Sequence, residues 1–361
     1  GRLHADKTEP TNETKTKGDS SECERERMSS TDGSIGDVLV VGGGLFGVTA
    51  AYELARRGHR VTVLERAGSS QPHQNAATCD ISKLVRLAYG YDEVYTHLMQ
   101  ECLPIWHQWN GATSDPTAEL PLSDRPLFHQ TGILVGKESA ISEPSFEHGS
   151  LEVMRACGYT PQMLSSPEAF SARYPAWSKG LFQEGFFDAD SGWAESSAVL
   201  DALRTRALRA GVVVLQETVE RLLYRDPEDR TRKRRCVGAL TMSGRSFYSD
   251  CVLVAAGCWT PSLVTKLQSV MWAAGQTVFH FQPEKTEQDL FQVPLFPAFC
   301  ADIQKTGVYG FPAHPSDGRV KIGLHANGIR FADSPTPERI AAAEEKARLK
   351  AEYAVRTYLR R

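Results

Sequence analysis

The sequence predicts an α/β protein: a doubly wound, dinucleotide-binding parallel sheet interleaved with a second domain built on a mixed sheet. Three observations predict it. The β-branched run Asp37-Val38-Leu39-Val40-Val41 passes into Gly42, Gly44 and Gly47 and then into the helix-forming Ala50-Ala51-Tyr52-Glu53-Leu54-Ala55, the strand, tight turn and helix of a pyrophosphate cradle. A second continuous apolar strand, Val252-Leu253-Val254-Ala255-Ala256, runs into Gly257 far downstream, as a buried parallel strand does when it joins the first sheet late in the chain. Strand and helix signals alternate between the two, which is how such sheets are wound.

Within the first motif the glycines have separate tasks: the tight turn, the close approach of backbone to a pyrophosphate, and helix-to-strand packing. Leu45 and Phe46 open the helix, whose unsatisfied N–H groups and positive dipole end favour an anion. The Gly58-His59 turn returns the chain to the strand Val61-Thr62-Val63-Leu64-Glu65. Glu65 closes it at about the expected distance of roughly 20 residues and is suited to accept hydrogen bonds from a ribose.

The 361 residues are 41% hydrophobic and 24% charged, enough to bury a substantial core in two domains. A net charge of -3 argues against a nucleic-acid footprint, and no apolar run is long enough to span a bilayer. The first residues do not read as a charged, apolar, small-residue signal sequence. The eight cysteines, Cys23, Cys79, Cys102, Cys157, Cys236, Cys251, Cys258 and Cys300, lack paired or metal-finger spacing and read as reduced thiols, mostly filling the core of an intracellular protein. His129 and His280 have no partners at metal-ligand spacing, so no metal is assigned.

Residues 1–34 are polar and read as a disordered leader. After Glu65 a polar, turn-rich stretch over 68–80 precedes a helical pattern at 95–109, in which Leu98, Cys102, Ile105 and Trp109 share a face that reads as core packing. Strand signals follow at 131–135 and 185–187, then a helix over 195–210 with the stripe Val199, Leu200, Leu203 and Ala207. The strand 212–215, the segment Thr218-Val219-Glu220 and a charged, solvated loop at 226–235 lead to the late apolar strand. Trp193, beside a turn, reads as core. Residues 307–325 read as a β-hairpin turning at 312–318, with Tyr309 and Phe311 on one face of the first strand and Lys321, Gly323 and His325 on one face of the second. Gly323 leaves room for a flat ring to approach. A helix opened by Pro337-Glu338 runs to Arg361.

Lys83, Arg86 and Tyr89 recur every third residue, which in a helical or turn-like segment places two cations near one face, opposite which a carboxylate can sit. A solvated pair of surface cations is the alternative reading. For Lys321 the alternative is a gatekeeper charge on an edge strand. No Gly-x-Ser-x-Gly elbow supports hydrolase chemistry.

Four segments together resemble the FAD-dependent amine oxidases typified by monomeric sarcosine oxidase, L-pipecolate oxidase and N-methyltryptophan oxidase. They are the Gly42 to Glu65 fingerprint, Asp80-Ile81-Ser82-Lys83-Leu84-Val85-Arg86-Leu87-Ala88-Tyr89-Gly90, Val254-Ala255-Ala256-Gly257-Cys258-Trp259-Thr260, and Tyr309-Gly310-Phe311-Pro312 followed by Lys321-Ile322-Gly323-Leu324-His325. The resemblance covers roughly residues 36–358. It implies a Rossmann-like FAD-binding domain from 35–90 and 195–265, a substrate domain from 91–194 and 266–335, and a C-terminal helix at 336–361. It implies FAD held by Gly42, Gly44, Leu45, Phe46, Gly47, Glu65, Arg66, Ser82, Lys83, Val219, Ala256, Gly257 and Trp259. Arg86 is placed at the substrate carboxylate, Lys83 beside the flavin, Tyr309 and Phe311 in the pocket wall, Lys321 at the oxygen-reacting position with His325 nearby. A planar guanidinium fork binds a carboxylate bidentately, and a fixed ammonium stabilises the negative charge that O2 acquires on reduction.

The reaction so implied is oxidation of the C–N bond of a small secondary or primary amino acid to an imine, with O2 reduced to hydrogen peroxide. A flavin dehydrogenase with another acceptor and a non-catalytic remnant are the alternatives; a nicotinamide-dependent dehydrogenase shares only the glycine turn and Glu65. The expected partners are an amino-acid substrate and O2, with neither nucleic acid nor membrane, and a monomer in the cytoplasm, the resemblance also allowing a peroxisomal home. Proteins of this type continue past the position of Arg361 into a Cys-x-Tyr-Thr-like stretch that tethers the flavin and a glycine-rich segment that closes over it, so C-terminal truncation is expected.

Overall fold

The computed structural model describes residues 36–67, 76–112, 119–225, 234–325, 329–330, 345, 348–353 and 355–357. The expected leader, most of the charged loop at 226–235, most of the 68–80 stretch and the Pro337-Glu338 helix start lie outside the described residues. Strands of the amino-terminal half are β1 (Asp37–Val41), β2 (Arg60–Glu65), β3 (Lys83–Val85), β4 (Phe128–His129), β5 (Ile133–Lys137), β6 (Gln162–Leu164), β7 (Glu184–Asp188) and β8 (Gly192–Ala194). Those that follow are β9 (Val213–Gln216), β10 (Val219–Arg225), β11 (Arg235–Thr241), β12 (Ser246–Tyr248), β13 (Cys251–Val254), β14 (Ala274–Gly275), β15 (Val278–Phe281), β16 (Ala298–Ala301), β17 (Val308–Phe311), β18 (Val320–Leu324) and β19 (Ile329–Arg330).

β1 sits at the centre of a parallel sheet in the order β13-β1-β2-β9, with Val38 opposite both Val61 and Cys251. The late apolar strand thus joins the first sheet. The sheet's alternation distributes β1 between two layers. Val38 and Val40 pack with Val48 and Ala51 of the helix Leu45–Arg56 and with Leu200, Leu203 and Ala207 of the helix Ser196–Arg209. Leu39 and Val41 pack with Leu64, Leu222 and Ala239, so the opposite face is covered by the antiparallel sheet β10-β11-β12.

The second large sheet has the order β15-β18-β17-β16-β5-β7-β6 and is mixed, β16 running parallel to β5 and the other pairs antiparallel. A small sheet β3-β8-β4 carries Lys83 opposite Ala194. The buried Val355 packs into the cluster beneath the mixed sheet together with Phe299, Val308 and Ile322.

Three expectations change. In the helix Glu93–Trp109, Trp109 packs on the core as expected and Cys102 is half-buried, but Leu98 and Ile105 are exposed, whereas Thr96 and Leu103 are buried and Met99 and Trp106 pack on the core. The layer beneath the helix selects the stripe whose Trp106 meets the Phe128 ring. Of the cysteines described only Cys300 is buried, while Cys251 and Cys258 are exposed, so the thiols mostly do not fill the core. Lys83 lies on β3, not in a helix or turn, and only Arg86 and Tyr89 fold together beyond the strand.

Candidate active site

The fingerprint loop is built as its glycines require. Gly42 has φ +105°, and a Cβ there would lie 2.4 Å from the carbonyl oxygen of Ala255; one on Gly47 would lie 1.9 Å from that of Gly42. These two positions admit no side chain. A Cβ on Gly44 would meet only Thr78 Oγ1, at 3.7 Å, which leaves the loop open in that direction. Gly44 caps the helix without a side-chain acceptor, and Leu45 N–H reaches only a long contact, 3.5 Å, to Thr78 Oγ1. Leu45 is half-buried and Phe46 is 87% exposed, so the first turn presents free donors beside an uncovered aromatic ring.

Glu65 ends β2 beneath this loop. Its Oε2 accepts from Gly43 N–H at 2.6 Å and its Oε1 from Ala67 N–H at 2.9 Å, so the carboxylate also holds the loop's backbone. Each oxygen retains a second acceptor site for a ligand hydroxyl. Next to it the Arg66 guanidinium stacks 3.6 Å above the Trp259 ring, and burial pushes its pKa below the ordinary arginine value, Glu65 opposing. Ala256 and Val219 pack on the Leu39 and Val41 face of the sheet, and Gly257, at φ +54°, has open space where a Cβ would stand.

A second group of residues assembles on one face of the mixed sheet. Tyr309 stands opposite Gly323, and Phe311 opposite Lys321. A Cβ on Gly323 would lie 2.4 Å from Tyr309 Cζ: the flat ring that the glycine admits is this phenol. Lys321 is 1% exposed. Its Nζ donates to Asp80 Oδ2 and to the Ser82 carbonyl, both at 2.6 Å, and lies 4.4 Å from the centre of the Phe311 ring. The same Asp80 oxygen accepts from Lys83 Nζ at 2.9 Å. Asp80 therefore joins two cations, a role that sequence reasoning missed although the residue stands in the quoted motif.

Electrostatics follow from this packing. Burial raises the Asp80 carboxyl, but the ammonium groups of Lys321 and Lys83 outweigh it and hold the pKa below the usual range. Burial brings Lys321 down to about 8, with Asp80 holding it from falling further. The Tyr309 phenol is pushed up to about 12 by burial, with Asp80 and Cys300 adding to the shift, so it keeps its proton.

Arg86 follows β3 and lies near enough to Cys300 of the mixed sheet for their charges to interact. Its guanidinium lies 4.3 Å from the Tyr89 ring centre and donates from Nη1 to the Ala88 carbonyl at 2.6 Å. It is half-buried and forms no ion pair among the described residues. Cys300, opposite Tyr309 in register, is pushed up to about 11 by burial, the nearby Arg86 opposing. Strand register joins Cys300 to Tyr309 and a hydrogen bond joins Asp80 to Lys321, while charge interactions relate Arg86 to Cys300 and Asp80 to Tyr309, so the five form one electrostatically linked array. His325 does not join it through any described side-chain contact: it is exposed past the end of β18, its backbone N–H donating to the Gly307 carbonyl.

The segment 78–82 connects the two groups, Thr78 touching the helix start at Leu45 while Asp80 meets Lys321. Along this line two buried polar atoms, Arg66 Nη2 and Ser82 Oγ, have no hydrogen-bond partner. Buried polar groups are normally satisfied. A polar ligand held between the glycine loop and Lys321 could satisfy both, and a flavin dinucleotide carries the phosphates, hydroxyls and polar ring that these donors and acceptors suit, so the residues present fit FAD.

Comparison with known proteins agrees. Residues 37–349 match the family model described as FAD dependent oxidoreductase (DAO). Monomeric sarcosine oxidase of Bacillus sp. (strain B-0618) is 25% identical over 299 residues, 82% of this chain and 70% of that protein. N-methyl-L-tryptophan oxidase of Salmonella dublin is 24% identical over 310 residues, 85% of this chain and 74% of that protein. Among solved structures, fructosamine oxidase (Amadoriase II) from Aspergillus fumigatus superposes with a TM-score of 0.61 at 22% identity, covering 82% of this chain and 63% of that one, so the chain spans less than two thirds of its length. With a matching sequence model over most of its length, a shared fold and residues suited to the cofactor, the chain belongs to the DAO family of FAD-dependent oxidoreductases.

Proposed function

We propose that the chain oxidises the C–N bond of a small secondary or primary amino acid, of the sarcosine, pipecolate or N-alkyl or glycated type, to an imine and passes the electrons to O2 with formation of hydrogen peroxide. The observation that carries this reading is Arg86: a half-buried fork with no carboxylate partner among the described residues, on the array that ends at the buried Lys321. An unpaired guanidinium beside an aromatic ring is a receptor for a planar anion. The names of the two enzymes that are similar in sequence point to N-methylated amino acids.

FAD, when bound, supplies the two-electron redox chemistry. The chain's residues position the reactants. Arg86 anchors the substrate carboxylate, Cys300 and Tyr309 border it, and the protonated Tyr309 hydroxyl is a donor to a substrate oxygen or nitrogen. Lys321, fixed by Asp80 and Ser82, presents a positive charge that needs no reorganisation when O2 gains an electron, and Lys83, bound to the same Asp80 oxygen, is its flanking group at the flavin. The fingerprint glycines, Glu65 and Arg66 hold the dinucleotide. FAD-loaded protein mixed anaerobically with sarcosine, L-pipecolate, N-methyl-L-tryptophan and a fructosyl amino acid should bleach with at least one and release peroxide on admission of air. Absence of bleaching with all four refutes the substrate class, and bleaching without peroxide refutes the acceptor.

A further inference from the structure

β15 forms the edge of the mixed sheet beside β18. On it, His280 stands directly opposite Lys321, and residues opposite one another in an antiparallel pair project from the same face. The two differ in access: His280 is exposed, whereas Lys321 is 1% exposed. Two N–H donors of Lys321 are occupied by Asp80 and the Ser82 carbonyl, and its ammonium is covered by the Phe311 ring. A proton that enters or leaves Nζ must therefore pass through a neighbouring group.

Asp80 is a poor carrier because its carboxyl is held below the usual range. Imidazole is a good one, since it both accepts and donates near neutrality. Partial desolvation of the His280 ring by its neighbours lowers its pKa; Asp80 opposes, Lys321 and Arg319 add to the lowering, and Asp317 opposes. Asp80, Arg319 and Asp317, with Lys83 behind Asp80, are the charges described around the pair, from the segment 80–83 and from the turn before β18.

We propose that His280 is the proton conduit between solvent and the buried ammonium of Lys321, a positioning residue for the oxygen side of the reaction. The conduit rests on the oxidase reading only for its use. When an amine R2CH–NHR′ is oxidised by O2 to the imine and H2O2, two electrons and two protons change hands. One proton travels with the electron pair as hydride. The other leaves the substrate nitrogen and must be matched by one delivered to oxygen, and a Lys321 reloaded through His280 can deliver it without opening the site to water.

The test is the exchange of the Lys321 Nζ protons with water, read by nitrogen-15 NMR of the full chain labelled at lysine, the signal being assigned by its loss in Lys321→Met. His280→Phe and His280→Gln, both on an exposed edge strand, should slow this exchange at least about tenfold. Exchange within twofold of the parent in a folded variant overturns the conduit. In the FAD-loaded chain the same variants should slow reoxidation by O2 by a similar factor and remove the part of its pH dependence that lies in the imidazole range. Slowed exchange with unchanged reoxidation overturns the use of the conduit in the oxygen half-reaction, whereas the oxidase reading falls only if the FAD-loaded parent releases no peroxide on admission of air, which separates the two.

Discussion

Asp80→Asn tests the electrostatic core of the site with least change of shape. Asparagine keeps an acceptor for the Ile81 N–H, which Asp80 Oδ1 now binds at 2.8 Å, and deletes only the charge that faces Lys321 and Lys83. Lys321 titrates at about 8 because Asp80 partly offsets its burial. An opposite charge at hydrogen-bond range shifts a pKa by about 1 to 3 units, or ~1.4 to 4 kcal/mol at 1.36 kcal/mol per unit. Without it, Lys321 should titrate at roughly 5 to 7 and lose much of its charge at neutral pH. The nitrogen-15 shift of its Nζ, followed against pH, measures this directly. Stability gives an independent check. The folded pKa lies below the ordinary 10.5, so the unfolded chain binds more protons between the two values and stability rises as pH climbs from about 8 to 10.5. In Asp80→Asn that rise should begin at the lower, shifted pKa. Asp80 itself, held low in the fold, contributes stability above its unfolded pKa that is lost as pH falls through the folded value, and the variant should lack this acid limb. A Lys321 titration within half a unit of the parent's would refute the coupling.

Lys321→Met keeps the stem and deletes the charge, so flavin reduction by substrate should change modestly while reoxidation by O2 slows about a hundredfold or more, the scale of losing one preorganised stabiliser; unchanged reoxidation in stopped flow counts against the oxygen role. Glu65→Ala should weaken FAD binding by about 10- to 150-fold, the equivalent of ~1.5 to 3 kcal/mol for a charge-assisted hydrogen bond, and should speed amide exchange at Gly43, whose N–H it binds; equal affinity in a fluorescence titration removes the ribose assignment. Arg86→Ala should weaken a carboxylate inhibitor far more than FAD, with Arg86→Lys restoring only part because a point charge lacks the planar fork; inhibitor binding as tight as the parent's shows that the anchor lies elsewhere.

Local physics made much of this protein legible in its sequence. The strand, glycine turn, helix and acidic strand end at 37–65 are recognisable because each is set within a few residues: β-branched side chains favour extended backbone, and Gly42 and Gly47 occupy places where a Cβ collides with backbone. The hairpin at 308–324 was readable for the same reason, since a period of two puts Tyr309, Phe311, Lys321 and Gly323 on one face once the turn is known. What approaches that face is a long-range matter. Asp80 meets Lys321 across 241 residues of chain, His280 becomes the neighbour of Lys321 only when β15 adds to the sheet edge, and Cys300 and Arg86 converge through separate elements. In the helix Glu93–Trp109 the neighbouring layer buried Leu103 and left Leu98 and Ile105 exposed. Periodicity specifies which residues share a face; which faces meet depends on packing the layers to fill space and satisfy buried polar groups, and that information is distributed over the whole chain.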